Sequence, residues 1–294
     1  MDNKRHFPLI LSSFWLKIIA LLTMTIDHIG YQLPTSPVGY PFRIIGRIAL
    51  PLFVFMVMEG TLHTKSFKKY LLRLGIMASA ISIAIIGSTY IPFFRDNGFS
   101  MRDEGNIFID LLLCALAVYC LKQKKWYFKL FSLLPLAFSV ASFLAVSFEF
   151  CGCFGEIWWM PFFLRTQYGF YAVLLATLFY LATSLTRLFC SYHSGQTGVD
   201  IKLYEDSNFA RLTQNIFSVI MLVIATLIFY FVVVNLPPQY RFYNVDIGLY
   251  ALLSGAFILL YSGKRGYNKK WFQYGSYLYY PLHMIVLYLI FMFI

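Results

Sequence analysis

The 294-residue sequence is 60% hydrophobic and only 13% charged, with a mean hydropathy of +0.68. Soluble globular domains do not have this composition, and it predicts an integral membrane protein. A formal net charge of +11 would suggest a nucleic-acid partner in a soluble chain, but most of the basic residues here sit in short connections between apolar runs. That pattern reports topology, so no nucleic acid is predicted.

Lipid admits only helices or closed barrels as spanning structures. The apolar runs are long and continuous, without the ten-residue alternation of a barrel strand. The predicted fold class is all-α, a polytopic transmembrane helical bundle forming one domain over 1–294. Nine spans are expected, within a range of eight to ten, at about 9–30, 44–63, 70–88, 107–121, 127–148, 168–188, 212–235, 246–262 and 272–294. The first is read as a retained span, because no small-residue cleavage site follows it.

In this arrangement Lys4, Arg5, Lys65, Lys68, Lys69, Arg73, Lys122, Lys124, Lys125, Lys129, Arg187, Lys202, Arg211, Lys264, Arg265, Lys269 and Lys270 share one side. Arg43, Arg95, Arg102, Arg165 and Arg241 fall opposite, so the positive-inside rule places the N-terminus in the cytoplasm. A polar, turn-rich connection at about 190–211 is expected to be a mobile cytoplasmic loop. Metal-type Cys pairs are absent and no metal is predicted. Cys151 and Cys153 read either as loop thiols or as a strained disulfide.

Ionisable groups within a bilayer cost several kcal/mol, so each calls for a partner or a role. In the first span, Lys17 and His28 are eleven residues apart, which places them on nearly the same helical face about 16 Å from each other. Asp27 is turned about 100° from His28 and should face a neighbouring helix. The second span carries Arg43 and Arg47 four apart near one leaflet and Glu59 and His63 four apart near the other. Pro51 lies between the two pairs and is expected to kink the helix and free a carbonyl. The ninth span enters at Lys269 and Lys270 and places His283 near mid-membrane, after Tyr279, Tyr280 and Pro281.

The stretches LKIIALLTMTIDHIGYQL, FRIIGRIALPLFVFMVMEGTLHTKSFKKYLLRL, QYGFYAVLLATLFYL and LLYSGKRGYNKKWFQYGSYLYYPLHMIVLYLI resemble the TraX family, named for the acetylase of F-type conjugative pilin. They cover about a third of the chain. The resemblance implies a membrane acetyltransferase using acetyl-CoA in a bacterial cytoplasmic membrane, distantly similar to heparan-glucosaminide acetyltransferase and acyltransferase-3 proteins. The family's DH pair corresponds to Asp27 and His28, its Gly-Arg arginine to Arg47, its Glu-Gly and His-Thr to Glu59-Gly60 and His63-Thr64, and its closing YYPLH to 279–283. Gln167 stands where an Asp is expected before Tyr-Gly, and Ala172 replaces a Gly.

Thioester acyl transfer needs a base and positive charge or donors at the developing oxyanion. His28 is the expected base, with Asp27 holding a neighbouring group or orienting it. Arg43, Arg47, His283 and Tyr280 are expected to contact substrate or oxyanion, and Lys17, Glu59, His63, Lys69, Arg73 and Lys270 to bind acyl-CoA. The acceptor is expected from the extracytoplasmic side as a pilin-like peptide, a glycan or a lipid; membrane lipids surround the chain, and an oligomer is allowed. A direct transfer and an acetyl-histidine route are both open. Competing readings are a transporter or proton-coupled flippase built on the same His/Asp/Arg cluster, and a membrane assembly partner whose buried charges serve packing.

Overall fold

A computed structural model describes residues 8–96, 100–152 and 154–292. Lys4, Arg5 and Cys153 lie outside the described residues, so the expectations that rest on them stop there. The helices are α1 Ser13–Gln32, α2 Gly39–Gly46, α3 Ala49–His63, α4 Phe67–Tyr90, α5 Pro92–Asp96, α6 Ile107–Lys122, α7 Trp126–Phe131, α8 Leu133–Phe150, α9 Tyr171–Thr197, α10 Ile201–Glu205, α11 Asn208–Val234, α12 Val245–Gly248, α13 Ser254–Leu259 and α14 Lys270–Met292. Among the described residues six stretches are long and apolar enough to cross a membrane: 13–32, 39–63, 67–90, 126–150, 171–197 and 208–234. The other three expected spans are helical too, as α6, as α12 and α13 joined by a 3-10 turn over Leu249–Leu253, and as α14.

At 16 residues α6 is about 24 Å long, less than the roughly 30 Å of a hydrocarbon core. Protein surrounds it, with α3, α4, α8 and α9 against its sides and Cys114, Ala115, Ala117 and Val118 fully buried. Its first turn starts inside the bundle, where the fully buried Asn106 satisfies the backbone. Asn106 Oδ1 accepts from Phe108 N at 3.0 Å, and Nδ2 donates to Ala78 O at 2.8 Å and Ser82 Oγ at 3.0 Å. A side-chain cap removes the usual penalty of an unpaired helix end away from water.

The irregular segment before α9 is held by side chains in the same way. Arg165 forms a two-pronged ion pair with Glu149 at 2.7 and 2.6 Å, Thr166 donates to Ser142 Oγ, and Gln167 N donates to Asp110 Oδ2 at 2.7 Å. Non-helical backbone at membrane depth is stable only when buried in protein with its polar groups paired. Gly105, at φ +71, allows this segment to close over the start of α6; a Cβ there would lie 2.6 Å from Gln167 Cα.

One sequence expectation is corrected, and a second is met within one turn. The polar stretch at 190–211 is largely helical: α9 continues to Thr197, Asp200 caps α10 through Lys202 N, and Ser207 caps α11 through Ala210 N. The second span breaks one turn before Pro51, at Arg47 and Ile48. Pro51 has no N–H to offer the Arg47 carbonyl four residues back, and the chain tightens there, with Arg47 N and Ile48 N donating three residues back to Ile44 O and Ile45 O.

Candidate functional site

On α1, Lys17, Leu21, Met24 and His28 recur at intervals of four, three and four and form a single stripe. All four line a cavity of about 390 Å³ that α3, α4, α6 and α14 close from the other sides. The expected alignment of Lys17 with His28 is therefore the axis of a real space.

At one end, His28 Nδ1 lies 2.6 Å from His283 Nε2 on α14. The two ring planes differ by 9° and their centroids are 4.9 Å apart. That separation matches the N···N distance plus two ring radii, so the imidazoles meet edge to edge, as a linear hydrogen bond requires. His283 Nδ1 lies 3.0 Å from Tyr279 O, and Tyr280 stands edge-on to both rings. A 2.7 Å hydrogen bond between Thr25 Oγ1 and Tyr279 Oη also joins the two helices.

Asp27 points away from His28 into α2. Arg47 Nη2 donates to both carboxylate oxygens at 2.6 Å, and Arg43 Nη1 donates to Oδ2 at 2.9 Å. Arg47 Nε also donates to Arg43 O at 3.2 Å, which fixes the guanidinium at the helix break. This close approach requires glycine at 46, where a Cβ would fall 2.1 Å from the Asp27 Cβ. Neither arginine lines the cavity; both stand behind the carboxylate because α2 packs on the face of α1 that carries Asp27, about 100° round from His28.

The other end is basic. Lys17, His63, Arg73 and Arg265 line it. Glu59 is the acid there, and its Oε1 already accepts from Arg211 Nη1 at 3.1 Å and Gln214 Nε2 at 3.0 Å. His63 Nδ1 sits 2.9 Å from Glu59 O. Among the described residues Lys17 and Arg73 form no ion pair, and the buried Arg73 Nε has no hydrogen-bond partner. Cations without a carboxylate partner make this end of the cavity electropositive. Lys69 and Lys270, expected beside these groups, are exposed and off the cavity wall. Lys69 is one residue from the lining Tyr70 and so faces a different way, and Lys270 opens α14 beyond the lining Gln273.

Between the two ends the wall is apolar, with Leu21, Met24, Leu50, Phe53, Phe108 and Leu111. The space is therefore cationic at one end, apolar along its wall and lined by an imidazole at the other end. The TraX protein family model matches residues 12–192, which include Asp27, His28, Glu59, Arg73 and Asp110. This chain belongs to the TraX family.

The chain is also similar to the probable fimbrial assembly protein FimC, serogroup H1, of Dichelobacter nodosus, 33% identical over 118 residues. The match covers 36% of this chain and 45% of the relative, so under half of that protein's length is represented. No solved structure matches the chain.

Several residues that shape the site were given no role there in the sequence reading. Gln167, noted only as a departure from the family pattern, and Tyr168 line the cavity beside Tyr280, held there by Asp110 through Gln167 N. Arg211 and Gln214 reach Glu59 from more than 150 residues away. Glu104, in the connection before α6, hydrogen-bonds Tyr31 and lies near Arg43; burial raises its carboxyl above the usual range, and those two groups oppose the shift.

Proposed function

We infer that this TraX-family protein is a membrane-embedded acyltransferase that moves an acetyl group from acetyl-CoA to an amine or hydroxyl acceptor. One observation carries the reading: a single cavity joins the unpaired cations at Lys17 and Arg73 to the imidazole of His28. Eleven helical residues span about 16 Å, the scale of an extended pantetheine arm. Lys17, Arg73 and Arg265 would hold the phosphates, the apolar wall would enclose the arm, and the thioester would lie by His28.

In the transfer, the acceptor nitrogen or oxygen attacks the thioester carbonyl carbon while His28 takes its proton. The carbon–sulfur bond then breaks, and the same proton passes from His28 to the leaving sulfur, giving free CoA and the acetylated acceptor. Tyr168 and Tyr280, which line the same cavity, would offer their hydroxyls to the oxyanion, while Arg47 is neutralised by Asp27. The basic end would open to the cytoplasm of a bacterial inner membrane, and the acceptor would arrive from the opposite face. The fimbrial assembly relative and the family's pilin association support a pilin or fimbrial subunit as that acceptor.

The test is acetyl-CoA binding and CoA release by the purified protein in nanodiscs, with wild type beside His28→Ala. Saturable binding by both, with release only by the wild type, is the expected result. If a correctly folded wild type does not bind, the reading falls, and substrate flux without CoA release would then indicate a transporter.

A further inference from the structure

His283 touches His28 but does not line the cavity, so it has no direct path to a substrate there. Its own hydrogen bonds define what it does. A backbone carbonyl only accepts, so the 3.0 Å contact with Tyr279 O requires that His283 Nδ1 carry the proton. In the neutral ring the Nε2 of His283 is then a lone-pair acceptor. The 2.6 Å contact between that nitrogen and His28 Nδ1 therefore needs the proton on His28 Nδ1. In this chain of two bonds, His28 Nε2 is the nitrogen left with a lone pair, and it belongs to the ring that lines the cavity.

Resting on the acyltransferase reading, we propose that His283 is a positioning residue that locks His28 in its Nδ1–H tautomer and so makes Nε2 the basic nitrogen of the site. The rest of the environment is built to hold this arrangement. The two imidazoles are coplanar within 9°, His283 is 6% exposed, and Tyr280 packs edge-on against both rings. The Thr25–Tyr279 hydrogen bond fixes α14 against α1 one turn before His283, so the rings cannot slide past each other without breaking it. When Nε2 takes the acceptor's proton, positive charge develops on His28 with Nδ1–H already pointed at the His283 lone pair. Asp27 does not compete for that role, because both its oxygens are taken by Arg43 and Arg47. The pair divides the work of a base and its orienting group as serine-protease triads do, with imidazole in place of carboxylate.

The experiment compares wild type, His283→Ala and His283→Gln in nanodiscs, measuring acetyl-CoA turnover and, on ¹⁵N-histidine-labelled protein, the protonation state of each His28 ring nitrogen. Gln retains an acceptor oxygen near the position of Nε2, whereas Ala removes it. The expected result is a kcat about 10²-fold lower for His283→Ala with the KM for acetyl-CoA unchanged, and recovery to within about tenfold in His283→Gln. The wild-type His28 signals should report a bare Nε2 and a protonated Nδ1, a preference lost in His283→Ala. The proposal is overturned if wild-type His28 carries its proton on Nε2, or if His283→Gln is as slow as His283→Ala while both fold. A wild type that releases no CoA would remove the acyltransferase reading, and the tautomer measurement would still decide what His283 does.

Discussion

Replacing Asp27 by Asn keeps the shape of the side chain and removes the charge that two arginines share. The Asp27 side chain is 8% exposed, Arg47 16% and Arg43 27%, so the cluster is largely out of solvent. Deleting one partner of a buried pair costs about 3–5 kcal/mol, because the other charge is left uncompensated. Arg43 is exposed enough to swing towards headgroups, which confines the penalty mainly to Arg47 and places the expected loss near 3 kcal/mol. At about 2–4 °C per kcal/mol for a chain of this order, the unfolding midpoint in detergent should fall by roughly 6–12 °C. Adding Arg47→Met to Asp27→Asn should restore a large part of that fall, since no buried charge then lacks a partner. A fall of less than about 2 °C for Asp27→Asn would refute the reasoning, because the carboxylate would then not be what keeps the guanidinium in the bundle.

Gly46→Ala introduces a Cβ 2.1 Å from the Asp27 Cβ and should cost about 1–3 kcal/mol in thermal unfolding, through forced separation of α1 and α2. Lys17→Ala and Arg73→Ala should each raise the KM for acetyl-CoA about tenfold with kcat little changed, whereas Lys69→Ala and Lys270→Ala should change neither by more than about twofold. Asn106→Ala removes the α6 cap and two further buried hydrogen bonds, and its midpoint in the same unfolding assay should reflect a loss of about 2–4 kcal/mol.

Helical periodicity carried the sequence reading where the relevant partners lie on one helix. It placed Lys17 and His28 on a common stripe and turned Asp27 towards another helix, and both hold in the structure. Composition likewise identified the apolar helices, and the proline rule located the break in the second span to within a turn. The reading failed where partners come from distant parts of the chain. His28 and His283 are 255 positions apart, and nothing local to either histidine announces the other. Charge alone did not separate Lys17, on the cavity wall, from Lys69 and Lys270, in solvent, because that difference depends on what other helices cover. Helicity at 190–211 was hidden because polar composition resembles a loop, while the caps at Asp200 and Ser207 act through individual hydrogen bonds.

The backbone leading into α1 is tied to the segment ahead of α14. Leu11 N donates to Leu260 O, Ser262 N to Leu11 O, Ser13 N to Lys264 O and Phe14 N to Arg265 O. The two helices that supply the histidines thus stand on one foot, like the arms of tweezers joined at the base. For arms joined in this way, a small change of angle barely alters the spacing near the joint and alters it most at the tips. Lys17 sits just above the joint, and His28 and His283 sit about three turns or more further along their helices. A splaying of α1 from α14 would therefore part the imidazoles while the basic end kept its width, so one movement of the same hinge would act unequally on the two ends of the cavity.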